Sequence, residues 1–161
     1  YAREDYALHK SSGMDFYSYS SEQYFNVEYN SGNIISFTRS MSDYTGGAHG
    51  SNNMAAETFN LENGGRILAD DLFTVGEEEY MQVIEDKILE EIAASFSGSE
   101  PASYYENYAE LVPQFLDKDN FYLTEDSLVI FFQTYEIAPY AAGIPTFEIP
   151  YSELQDIWKL W

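Results

Sequence analysis

Five consecutive residues, Leu128-Val129-Ile130-Phe131-Phe132, are apolar without a break, and this run constrains the fold more than any other stretch of the chain. Successive side chains of a strand point to opposite faces. An apolar residue at every step therefore predicts a strand covered on both sides and central to a layered structure. Phe121-Tyr122-Leu123 precedes the run across Thr124-Glu125-Asp126-Ser127, and this spacing predicts a hairpin. Downstream, Ala138-Pro139-Tyr140-Ala141-Ala142-Gly143 breaks the pattern. Thr146 to Tyr151 is expected to return as a last strand, with Pro150 confining it to an edge or a strand end.

Weaker patterns fill in the remainder. Phe25, Val27 and Tyr29 alternate with Asn26 and Glu28, which predicts a half-buried strand; after the turn cluster Asn30-Ser31-Gly32-Asn33, Ile34 to Arg39 answers it. Ser40 to Asn53 reads as a loop. Glu57 to Leu61 and Arg66 to Leu68 flank an Asn63-Gly64 hairpin signal. Thr74 and Glu77 make a capping-box pattern before a helix whose Tyr80, Ile84, Ile88, Ile92 and Phe96 recur every fourth residue, and Ser97-Gly98-Ser99 is expected to end it. Ser103 with Glu106 predicts a second helix that Pro113 should stop, and Ser152 with Gln155 a third, carrying Leu154, Ile157, Trp158 and Trp161. Residues 1–13 are polar and unpatterned, expected as a loosely ordered start or linker; residues 14–161 are expected to form a single domain. The fold class that follows is α+β: a mostly antiparallel sheet of about five to seven strands, with the long helix and shorter helices packed on it.

Charge decides which partners are open to such a domain. Seven basic residues stand against 28 acidic ones, a net charge of −21, which repels nucleic acid and anionic lipid and favours cationic partners. There is no cysteine, so disulfide and thiol chemistry are excluded. No stretch approaches the ~20 apolar residues of a membrane span, so no membrane insertion by this segment is expected.

Motifs that carry reactions are missing. The chain has no GxSxG elbow, no SxxK pair, no HExxH and no phosphate-cradling glycine loop. His49, in a loop with three nearby glycines, is the most site-like residue, either fixing the loop through a backbone hydrogen bond or touching a ligand. Asp117-Lys118-Asp119-Asn120 with Glu125 resembles a calcium loop only faintly, because Tyr122 takes the place of its glycine and Leu128 that of its last glutamate. The candidate contact residues are Tyr44, His49, Tyr135, Tyr140 and Ile144, with tyrosine supplying contact area at low entropic cost. Trp158 and Trp161 are an alternative aromatic platform, or simply core. No cofactor, metal or catalytic residue is expected.

YTGGAHG (residues 44–50), YEIAPYAAG (135–143) and FEIPYSEL (147–154) together resemble the extracytoplasmic domain of RsiV-like lysozyme-receptor anti-sigma factors. A similar domain accompanies the catalytic part of PdaC-like peptidoglycan deacetylases. The resemblance covers most of the chain from Phe16 onward. It implies a non-catalytic bacterial binding or sensing domain at the cell envelope, recognising lysozyme or another cationic protein. A trimmed ectodomain is expected, its native N-terminal anchor or signal absent from this sequence. A module for cell-wall glycan is the alternative, and a hydrolase centred on His49 the second alternative.

Overall fold

Leu128, Val129, Ile130 and Phe131 lie in a strand that is buried at every position, β5 (Ser127–Phe131), so the apolar run is covered on both faces as expected. Leu128 and Ile130 join the cluster that faces the helices; Val129 and Phe131 are buried on the opposite side. The computed structural model describes residues 1–96 and 103–159. In chain order its elements are α1 (Ala2–Ser12), β1 (Ser20–Ser31), β2 (Ile34–Tyr44), β3 (Ser51–Asn60), α2 (Ala69–Leu72), α3 (Glu77–Phe96), α4 (Tyr108–Phe115), β4 (Phe121–Leu123), β5 and β6 (Thr146–Pro150). Short 3-10 turns lie between β5 and β6 at Tyr140–Ala142 and after β6 at Tyr151–Glu153.

The α+β class is as expected, but the strands divide into two antiparallel sheets, β1-β2-β3 and β4-β5-β6, rather than one. The link between them is made by side chains. Leu123 N–H donates to Ser36 Oγ at 3.0 Å, and the Ser36 and Thr58 hydroxyls share a hydrogen bond of 2.8 Å. Both hydroxyls are fully buried, so each must find a partner inside the protein.

α3 closes the second sheet. Tyr80, Ile84, Ile88 and Ile92 are all buried, as their four-residue spacing predicts. Phe96 departs from the stripe: it is exposed and stacks on Tyr108 with ring centroids 5.3 Å apart. Thr74 does not cap this helix, because its hydroxyl donates to Ile157 O and so ties the chain's final turns to the helix start. Phe73 pairs with Trp158 there as an isolated bridge.

Other local expectations are corrected by longer-range contacts. Arg66 forms only an isolated bridge to Phe59, not a strand. α4 starts after Asn107 and runs through Pro113 instead of stopping before it. The Ser152–Gln155 region is a 3-10 turn, with Gln155 Nε2 donating to Ser152 O. Phe25 and Val27 are exposed, not half-buried, since among the described residues no layer covers the face of β1 that carries them. The polar start is a helix with no buried residue: α1 has Glu4 and Asp5 at its positive end, and Gly13 closes it with φ 67°. The Ser97-Gly98-Ser99 stop and Trp161 lie outside the described residues.

Candidate functional site

The five candidate contact residues come from two segments, the β2–β3 hairpin and the β5–β6 loop, which meet at one end of the first sheet through His49, Tyr135 and Tyr140. The β2–β3 hairpin supplies Tyr44 and His49. Its loop is possible because Gly46 and Gly47 take φ of 94° and 93°. Gly50 is required for a different reason: a Cβ there would stand 2.5 Å from Asp43 O. Tyr44 Oη donates to Gly47 O at 3.0 Å and so braces the loop.

The second loop leaves β5 and is clamped to the free edge of β3. Gln133 Nε2 donates to Met54 O at 2.8 Å, while its Oε1 accepts from Met54 N–H at 3.0 Å. One side-chain amide thus makes the pair of bonds that a neighbouring strand would make. Thr134 Oγ1 adds a bond to Asn52 O at 2.9 Å. Tyr135 follows with φ 73°, a left-handed conformation that a bulky residue adopts only when its surroundings impose it.

These two constraints bring three rings together. His49 stacks on Tyr140, with centroids 4.1 Å apart and planes 24° from parallel, and Tyr135 lies 5.8 Å from Tyr140. The His49 Nδ1 and Gly50 O atoms are 2.8 Å apart, so Nδ1–H donates to the carbonyl and Nε2 is left to accept the Tyr135 hydroxyl at 3.2 Å. Asn52 Nδ2 donates to Tyr140 Oη at 3.1 Å. Tyr135 and His49 are exposed and Tyr140 is half-buried, so the cluster is a surface patch, not a closed pocket. Ile144 is half-buried before buried Pro145. Trp158 packs against Phe73 and Tyr151, which makes it core, not platform.

An acid–base pair on His49 needs a carboxylate against the imidazole, yet its ring nitrogens meet the Gly50 carbonyl and the Tyr135 hydroxyl. Among the described residues, no three His, Cys, Asp or Glu side chains converge as a metal site would require. Asp117 instead folds its own loop, its Oδ1 accepting Asp119 N–H at 2.9 Å. Sequence reading missed Asn52, Gln133 and Thr134. Gln133 lies 79 residues from its partner, and no local pattern announces such a bond.

A second polar cluster ties α2 to α3. Tyr80 Oη donates to Asp70 Oδ1 at 2.5 Å, and Lys118 Nζ reaches Asp70 Oδ2 at 3.0 Å and Glu77 Oε2 at 2.5 Å. The Tyr80 hydrogen bond, followed by the one from Lys118, holds the Asp70 carboxyl below its ordinary range. Burial and the Asp70 bond push the Tyr80 phenol up. A groove between α3 and β6 is lined by Glu90, Glu91, Glu148 and Glu153, with Lys87 bound to Glu153 at 2.5 Å. Burial, then the Glu148 charge, raises the Glu91 carboxyl there.

Two antiparallel sheets backed by one long helix define the class, an α+β domain with an exposed aromatic patch at one end. The chain belongs to the DUF3298 family, described as a protein of unknown function, whose match covers residues 70–152, just over half of it. A DUF3298 family protein from Bacteroides fragilis NCTC 9343 has a similar crystal structure, with TM-score 0.71 and 23% identity over 99% of this chain. A second, from Pseudomonas aeruginosa PAO1, has TM-score 0.68 and 21% identity over 95% of it. Both likenesses extend through the first sheet, beyond the family match. This chain covers 64% of the Bacteroides protein and 69% of the Pseudomonas one. No curated protein matches it. Among the described residues, no helix is long and apolar enough to cross a membrane.

Proposed function

We propose that this chain is a non-catalytic recognition domain working outside the cytoplasm, and that the His49–Tyr135–Tyr140 patch is where it meets a cationic protein. One observation carries the reading. Exposed rings from segments 86 residues apart are held together by the Gln133 clamp and by strained backbone at Tyr135, an arrangement the core does not need. The resemblance to RsiV-like receptors supports the envelope location and makes lysozyme the specific candidate. In this mechanism the −21 charge speeds encounter with a basic partner, and the rings then set the lifetime of the complex.

Titration of lysozyme at low and at physiological salt, by calorimetry and stopped flow, tests it. A saturable one-to-one complex is expected, with salt slowing association strongly and dissociation little. Tyr135→Ala or Tyr140→Ala is expected to weaken binding about tenfold, roughly 1.4 kcal/mol, mainly through faster dissociation. No saturable complex would end the lysozyme reading, and indifference to both ring variants would end the role of the patch. The near-parallel His49–Tyr140 stack also favours a glycan reading. Soluble peptidoglycan fragments that bind with little salt dependence and are lost with the same variants would replace the cationic protein.

A further inference from the structure

The two edges of the first sheet are treated differently. The β3 edge is occupied by the Gln133 and Thr134 side chains. β1 is the other edge: among the described residues its one strand partner is β2, and residues 20–27 are all exposed. Proteins blunt such edges with lysine, proline or a bulge. Between Ser20 and Val27 there is no lysine and no proline, and the bulge comes only between Val27 and Tyr29. Eight residues of open edge remain, about 26 Å of strand.

The two flanks of this edge differ in chemistry. Phe25 and Val27, exposed at 64% and 62%, point to the outer face, which continues across Phe37 and Phe59 with their rings stacked 6.1 Å apart and carries the charges of Arg39 and Glu57 between them. A solvated face of an antiparallel sheet is ordinarily polar, and exposed apolar side chains gathered on one mark a contact surface. On the opposite flank stand Glu22, Tyr24 and Asn26, with the Tyr24 hydroxyl on Glu22 Oε2 at 2.7 Å, and Glu28 lies at the bulge. β1 has two glutamates and no basic residue.

We propose that the β1 edge takes up an extended, cationic segment of a partner protein by strand addition. Alternating residues of the incoming strand would set apolar side chains beside Phe25 and Val27 and basic ones beside Glu22. A second copy of this chain is a poor occupant, because it would bring another −21 charge and a second Glu22 and Glu28 to the same seam. The surface lies on the opposite sheet edge from the His49 patch and does not depend on it.

The test uses the whole chain and a blocked synthetic octapeptide of alternating lysine and valine, followed by fluorescence anisotropy and by amide exchange in β1. Saturable one-to-one binding is expected, with slower exchange at alternate β1 amides. Phe25→Ser should weaken it tenfold or more, as should replacing every lysine of the peptide by glutamate. Both changes lie on exposed surface or outside the protein, so folding is not at stake; Val27→Ser provides a second variant. The proposal fails if the peptide does not bind, if an oligolysine of equal charge binds as well, or if Tyr135→Ala abolishes binding while Phe25→Ser does not. It also fails if sedimentation without peptide gives a dimer whose β1 amides are already protected, because the occupant is then a second copy.

Discussion

At the scale of single residues, Asp70 and Gln133 organise more than their composition suggests. Asp70 is held below its ordinary range by the Tyr80 hydroxyl and by Lys118. A depressed carboxyl contributes stability that is present above its unfolded value and lost as pH falls through the folded one. Lys118 is held above its ordinary range by Glu77 and Asp70, so its contribution is present below the unfolded value and lost as pH rises through the folded one. The cluster is therefore expected to stabilise fully between about pH 4 and pH 10. Thermal melts of the wild type and Asp70→Asn should differ across that window and converge in stronger acid; an equal gap at all pH would remove the linkage. Gln133→Ala, which opens both bonds to Met54, should cost about 1–3 kcal/mol in denaturant melts and broaden the Tyr135 and His49 resonances. His49, Tyr135 and Tyr140 were legible as candidates, but the atoms that join them were not. Their bonds span up to 88 residues, and hydrogen bonding of that range leaves no periodic trace.

Among the elements, α3 was legible because burial on one side of a helix writes a four-residue rhythm into the chain. Ile88 is fully buried in the middle of that stripe, so Ile88→Ala is expected to cost about 2–5 kcal/mol by equilibrium urea unfolding. An unchanged midpoint would take α3 out of the core. The failures at this scale share a cause. Capping-box spacing around Thr74 and Ser103 describes what a local chain can do, whereas Thr74 is claimed by Ile157 and α4 begins after Asn107. α1 carried its own signals, Glu4 and Asp5 early, His9 and Lys10 late, then Gly13, but without an apolar stripe they pass for a solvated start. β1 deceived in the opposite direction: its alternation is real, yet its apolar face is turned outward.

For the whole molecule, net charge and the seam between the sheets set the behaviour. Screening the −21 charge should relieve self-repulsion, so the melting temperature is expected to rise as ionic strength goes from near zero to about 0.15 M. A fall would mean that the Lys118 and Lys87 ion pairs outweigh it. The α+β class was readable because β5 demands cover on both faces; the division into two sheets was not, since it rests on Ser36 meeting Leu123 across 87 residues. That seam has a kinetic consequence. The Leu123 amide, held across the seam by Ser36 Oγ, is expected to exchange its hydrogen with solvent when that bond opens as the sheets part. Its exchange rate should follow the same denaturant dependence as the slowest amides of β5, so one backbone proton serves as a clock for the separation of the two halves.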